Sequence, residues 1–112
     1  MKVVFLESAK QDLIDLRRYL VRFKPEGAWL AVKKQIQEKV AYIAEFPASG
    51  TRPDELAGFA DGFRHRQHLT HQQRIIYRVA PATDTDTVYI HIICGQVQDF
   101  EEFLSRRLTR PW

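Results

Sequence analysis

Residues 62–80 read GFRHRQHLTHQQRIIYRVA, and they decide the fold. Phe63, Leu69, Ile75, Ile76, Tyr77 and Val79 predict two strands, about 63–69 and 73–80, with Thr70-His71-Gln72 as a short turn. The polar run Ala82-Thr83-Asp84-Thr85-Asp86 then separates them from a third strand over about 87–94. Connections this short imply antiparallel neighbours. The hairpin carries Arg64, Arg66, Arg74 and Arg78 with His65, His68 and His71, and no acidic residue falls between Asp61 and Asp84. Four guanidinium groups on a folded hairpin, without counter-charge nearby in sequence, point to an acidic or polyanionic partner.

Towards the amino terminus, residues 2–6 (KVVFL) are β-branched and aromatic and predict a short strand. Ser8 with Gln11 is a capping-box pattern, and Asp12 is expected to complement the dipole of the helix that follows. Apolar residues at 9, 13, 16, 20 and 23 give that helix one buried stripe from about Ala9 to Phe23. Lys24-Pro25-Glu26-Gly27 breaks it, and Trp29, Val32, Ile36, Val40 and Ile43 mark a second helix ending before Phe46-Pro47. Lys33, Lys34, Gln37, Glu38 and Lys39 read as its solvated face. Residues 47–62 form a connector rich in Pro, Gly and small residues, with one helical turn expected at Asp54-Glu55-Leu56. Towards the carboxyl terminus, Asp99 with Glu102 caps a last helix that groups Phe100, Phe103, Leu104 and Leu108, and 109–112 form a flexible tail.

The resulting order, β-α-α-β-β-β-α, describes a single α+β domain over 1–112, with an amino-terminal strand and a helical hairpin packed on a mainly antiparallel sheet. One sheet face is then expected to stay open for a partner. The 45% hydrophobic and 28% charged composition is that of an ordinary globular chain, and a net charge of +3 makes the location of the charge matter more than its total. One cysteine, Cys94, excludes an intramolecular disulfide framework; with no signal-like amino terminus, the expected compartment is the cytoplasm. Apolar runs are too short to span a bilayer.

Strand alternation puts Arg64, Arg66 and His68 on one face of the first hairpin strand and Arg74, Ile76 and Arg78 on one face of the second. The expected docking surface therefore joins Arg64, Arg66, His68, Arg74 and Arg78, and arginine suits bidentate capture of phosphate or carboxylate. His65, His68 and His71, with His91 or Cys94, invite a metal reading; alternation opposes it by sending His65 and His68 to opposite faces. A histidine acting as general acid or base among arginines remains an alternative, with Arg64, His68, Arg74, Arg78 and His91 as its catalytic candidates. Tyr77, Tyr89 and Trp29 read as packing residues, and Cys94 as a small apolar core residue. The glycines form no phosphate-binding loop, so no cofactor is expected.

As a whole the chain resembles the RelE/ParE superfamily of type II toxin–antitoxin toxins. The resembling stretches are VVFLESAKQDLIDLRRYL, FPASGTRPDEL, GFRHRQHL followed by QRIIYRV, and IHIICGQVQDF, covering about residues 2–100. The resemblance implies a small bacterial toxin in a hetero-oligomer with its cognate antitoxin, which wraps around it. In the RelE-like branch, ribosome-dependent messenger-RNA endonucleases, an arginine and a tyrosine stand near the last strand and tail; here that stretch offers Gln96 and Phe100. The ParE-like branch lacks that catalytic set and poisons DNA gyrase by binding. The helical hairpin, the connector and RIIYRV resemble ParE more. A homologue without toxicity, kept as an interaction module, is the third expectation.

Overall fold

The computed structural model of the chain describes residues 2–53, 65–79 and 87–96. Along them run β1 (Lys2–Phe5), α1 (Glu7–Phe23), α2 (Ala28–Glu45), a 3-10 turn (Pro47–Ser49), β2 (His65–Leu69), β3 (Gln73–Val79) and β4 (Thr87–Gly95). This is the predicted α+β order. The expected turn at 54–56, the 82–86 loop, the helix from Asp99 and the tail 109–112 lie outside the described residues, as does Arg64.

The sheet order is β1-β4-β3-β2. β2, β3 and β4 form an antiparallel meander, whereas β1 runs parallel to β4 from Lys2↔Thr87 to Phe5↔Ile90. A parallel neighbour needs a long crossover, which everything between β1 and β4 supplies. The helices pack on the face that carries Ile75, Tyr77, Val88, Ile90 and Ile93, and contribute Ala9, Leu20, Val32, Ile36 and Ile43 to that core. Fully burying a side chain the size of isoleucine stabilises by about 1.5–3 kcal/mol. These helix positions are the predicted stripes, except that Phe23 is 62% exposed. Between the helices, Lys24 is extended ahead of Pro25, and Gly27 precedes α2 in the left-handed region (φ 87°), where a side chain would be strained.

The expected capping box is corrected. α1 starts at Glu7 with Leu6 as an N-cap that offers no side-chain bond. Ser8 Oγ instead donates to His91 O (3.2 Å), Gln11 Nε2 donates to Asp15 Oδ1 (2.8 Å), and buried Asp12 accepts the Ile93 N–H at Oδ2 (3.0 Å). β1 ends opposite Ile90, so among the described residues no strand lies beside the next part of that β4 edge. Buried backbone groups require partners, and the first turns of α1 supply them.

The expected open face is corrected as well. Ile76 and Ile92 (both 0% exposed) and Cys94 (5%) are buried, yet they stand outside the helix-side cluster. The runs IIY and IHII place apolar side chains on both faces of the central strands, the pattern of a strand buried on two sides.

Candidate functional site

The β2–β3 register decides which arginines meet. The pairs are His65↔Arg78, Arg66↔Tyr77, Gln67↔Ile76, His68↔Ile75 and Leu69↔Arg74. Directly paired residues share a face. Arg66 and His68 therefore lie on the helix side with Tyr77 and Ile75, while Arg74 and Arg78 lie on the far side with His65, Gln67 and Ile76. The expected single face joining Arg66, His68, Arg74 and Arg78 does not exist. Alternation within each strand is as read, but the phase between strands is set by the turn. Thr70 N donates to Gln73 O (2.9 Å), which closes a two-residue loop of His71 and Gln72, and one residue of register flips every side chain. Gln96 anchors this turn: its backbone N donates to Gln72 O (3.0 Å) and its Nε2 to Thr70 O (2.5 Å).

On the helix side the Tyr77 phenol is the centre of a clasp. It accepts the Gly50 N–H (3.0 Å) and donates to Pro47 O (2.7 Å), while Arg66 Nη1 donates to Gly50 O (2.9 Å). Thr51 and Gln67 exchange backbone hydrogen bonds along the outer edge of β2. A Cβ at position 50 would collide with the Tyr77 hydroxyl and the Gln67 carbonyl, so the chain needs glycine there. Ser49 Oγ donates to Phe46 O (2.6 Å), so the hydrogen of its 2.7 Å contact with His68 comes from His68 Nε2. The His68 ring stacks on Tyr77 (6.2 Å, 10°) and meets Tyr42 edge-on (5.6 Å). Burial first, and the Lys39 charge second, lower the His68 pKa from its ordinary 6.5. Burial likewise pushes the Tyr77 phenol upward, against smaller opposing effects from Gly50, Arg66 and Ser49.

On the far side Arg74 donates through Nε and Nη2 to Gln67 Oε1 (3.1 and 2.6 Å). Arg78 donates through Nε to His91 Nε2 (3.2 Å) and lies over the Tyr89 ring (4.9 Å). His91 is the extra residue of a β-bulge, since Ile76 pairs with Ile92 and Tyr77 with Ile90. The bulge turns it toward His65, whose ring meets it edge-on at 4.7 Å. Both histidines are buried. The arginine therefore occupies the lone pair that a general base at His91 Nε2 would use. His65 and His68 face opposite ways, and among the described residues no cluster of three His, Cys, Asp or Glu side chains could hold a metal ion.

A third feature escaped the reading of the residues. α1, α2 and β1 enclose a groove of about 510 Å³, floored by Val3, Phe5, Leu13, Trp29, Ile36 and Val40 and rimmed by Arg17, Lys33 and Gln37. None of the described residues that line it is a carboxylate. Ala41 and Ala44 leave the space, and Ile14, one position off the core stripe, supplies exposed apolar surface at its edge. These three residues were the available signal. None of the described helices is long and apolar enough to cross a membrane.

The comparison with curated proteins returned no match. A family model for the ParE toxin of the parDE type II toxin–antitoxin system matches residues 3–100, a span that contains the groove, the Tyr77 clasp and the far-side arginines. The chain belongs to the ParE toxin family of type II toxin–antitoxin systems.

Proposed function

We propose that the chain is a toxin neutralised by a cognate antitoxin seated in the α1–α2–β1 groove, and that it arrests growth by binding DNA gyrase. The groove carries this reading: an apolar floor with a cationic rim at Arg17 and Lys33 fits an acidic amphipathic segment that orders as it binds. Arg66 and His68 share the helix side of the sheet with the groove and serve as further antitoxin contacts. Arg74 and Arg78 on the far side are assigned to the target, and Arg64, which alternation groups with Arg66, to the antitoxin. Binding is favoured over ribonuclease chemistry because the catalytic candidates do not converge. His68 stands on one side of the sheet and Arg74, Arg78 and His91 on the other, with His91 Nε2 already bonded to Arg78. Gln96 holds a turn and brings no cation to such a centre.

Induced expression without the antitoxin tests the target. Filamentation with a DNA-damage response is the expected phenotype. Immediate arrest of protein synthesis with transcripts cut at codons would replace this reading with the endoribonuclease one, and unimpaired growth would mark a non-toxic interaction module.

A further inference from the structure

Phe23 belongs to the predicted α1 stripe, yet the core does not take it: it is 62% exposed, and Tyr19 one turn earlier is 50% exposed. Their rings stand 5.3 Å apart, tilted by 42°. With 3.6 residues per turn, Tyr19 and Phe23 form one row along the helix, and Arg18 and Arg22 form the row beside it. The Arg22 guanidinium sits over the Phe23 ring (5.2 Å), and Lys24 Nζ stands over Tyr19 (6.0 Å). Neither Arg18 nor Arg22 has an ion pair among the described residues, whose pairs are Lys10–Glu7 and Lys34–Glu38. Asp15, one turn before Arg18, accepts from Gln11 instead. A ring pair at i,i+4 stabilises a helix only slightly. That accounts neither for two open rings nor for two unpaired guanidiniums alongside them.

We propose that this strip at the carboxyl end of α1 binds single-stranded nucleic acid. Bases stack on Tyr19 and Phe23 while Arg18, Arg22 and Lys24 meet the phosphates. Two other occupants fit less well. A bilayer needs one continuous apolar face to insert; the other exposed apolar residue of this turn, Val21 (66% exposed), points the opposite way around the helix from Tyr19 and Phe23. A second copy docked with its twofold axis through the Arg18–Arg22 row would bring four guanidiniums together. Tyr19 and Phe23 lie across α1 from Arg17 and Ile14, which line the groove, while Arg18 stands one turn from Ile14 at the groove's edge; the rings and the groove can be filled at once. The inference therefore rests on neither the antitoxin nor the gyrase assignment.

Fluorescence anisotropy with a labelled oligothymidylate and the purified full chain is the test. Tyr19→Ala with Phe23→Ala should weaken binding by roughly five- to a hundredfold per ring removed. Arg18→Gln with Arg22→Gln should weaken it and reduce the slope of log affinity against log salt by about 1.4. Lys10→Gln, at the other end of the helix, should change the affinity little. All these side chains are exposed, and far-UV circular dichroism and a melting temperature matching wild type confirm that each variant is folded. A wild-type chain that does not bind the oligonucleotide, or ring variants that bind it as well as wild type, would overturn the proposal. So would equal affinity for duplex, or ring variants that alter only the sedimentation coefficient, which would make the strip a contact between copies.

Discussion

Tyr77 ties three segments together through one oxygen. Its ring is fully buried in the core, and its hydroxyl serves both the Gly50 N–H and the Pro47 carbonyl. Tyr77→Phe keeps the packing but leaves both backbone groups without that partner, at a cost of about 1–3 kcal/mol. Urea unfolding should show the midpoint falling with an unchanged m-value; an unchanged midpoint would contradict the clasp. His68 gives the same cluster a pH dependence. Its folded pKa is depressed by burial and by Lys39, so folding favours the neutral ring. That contribution is complete above the unfolded value of about 6.5 and is lost as pH falls from there through the folded pKa. Across this window the wild-type melting temperature should fall more steeply than that of His68→Gln. Parallel curves would show that His68 does not contribute.

At the scale of elements, α1 acts as the missing neighbour of β4. Asp12→Ala removes the acceptor of the buried Ile93 N–H and should cost about 1–3 kcal/mol. Hydrogen exchange at the Ile93 amide should accelerate beyond what the global loss of stability explains, and exchange that tracks global stability alone would contradict the bracing role. Why the sequence misled here is physical. Ser8, Gln11 and Asp12 satisfy a local capping rule, but the edge of β4, 81 residues from Asp12 at Ile93, makes the stronger demand. The strands were legible in the same partial way. Alternation is local and sorted each strand correctly, whereas the relative phase of β2 and β3 depends on a two-residue turn whose length cannot be read from composition. Two-sided burial of β3 and β4 was written in IIY and IHII. The stripes of α1 and α2 marked the core faces, and only Phe23 departed from them.

At the scale of the whole molecule, the charge that dominates the sequence is less concentrated than it looks. Arg66, Arg74 and Arg78 divide between two faces of one sheet, with neutral acceptors at Gly50, Gln67 and His91. The apolar groove lies elsewhere, between the three consecutive elements β1, α1 and α2. Ala41, Ala44 and Ile14 were its trace in the sequence, a faint one, because the groove is space left by small residues between helices that touch at other positions. The family resemblance was legible because it rests on the order of motifs over most of the chain, and the matched span of 3–100 agrees with it. Residue roles were less legible, because they depend on which side chains tertiary pairing brings together.

The central claim is that the groove holds the antitoxin, and calorimetric titration of the cognate antitoxin tests it most directly. Ala41→Arg fills the groove from an exposed helix position, and Arg17→Glu with Lys33→Glu reverses its rim without touching the core. Each should weaken binding by at least about tenfold while the melting temperature stays close to that of wild type. Antitoxin affinity equal to wild type in both variants would contradict the account.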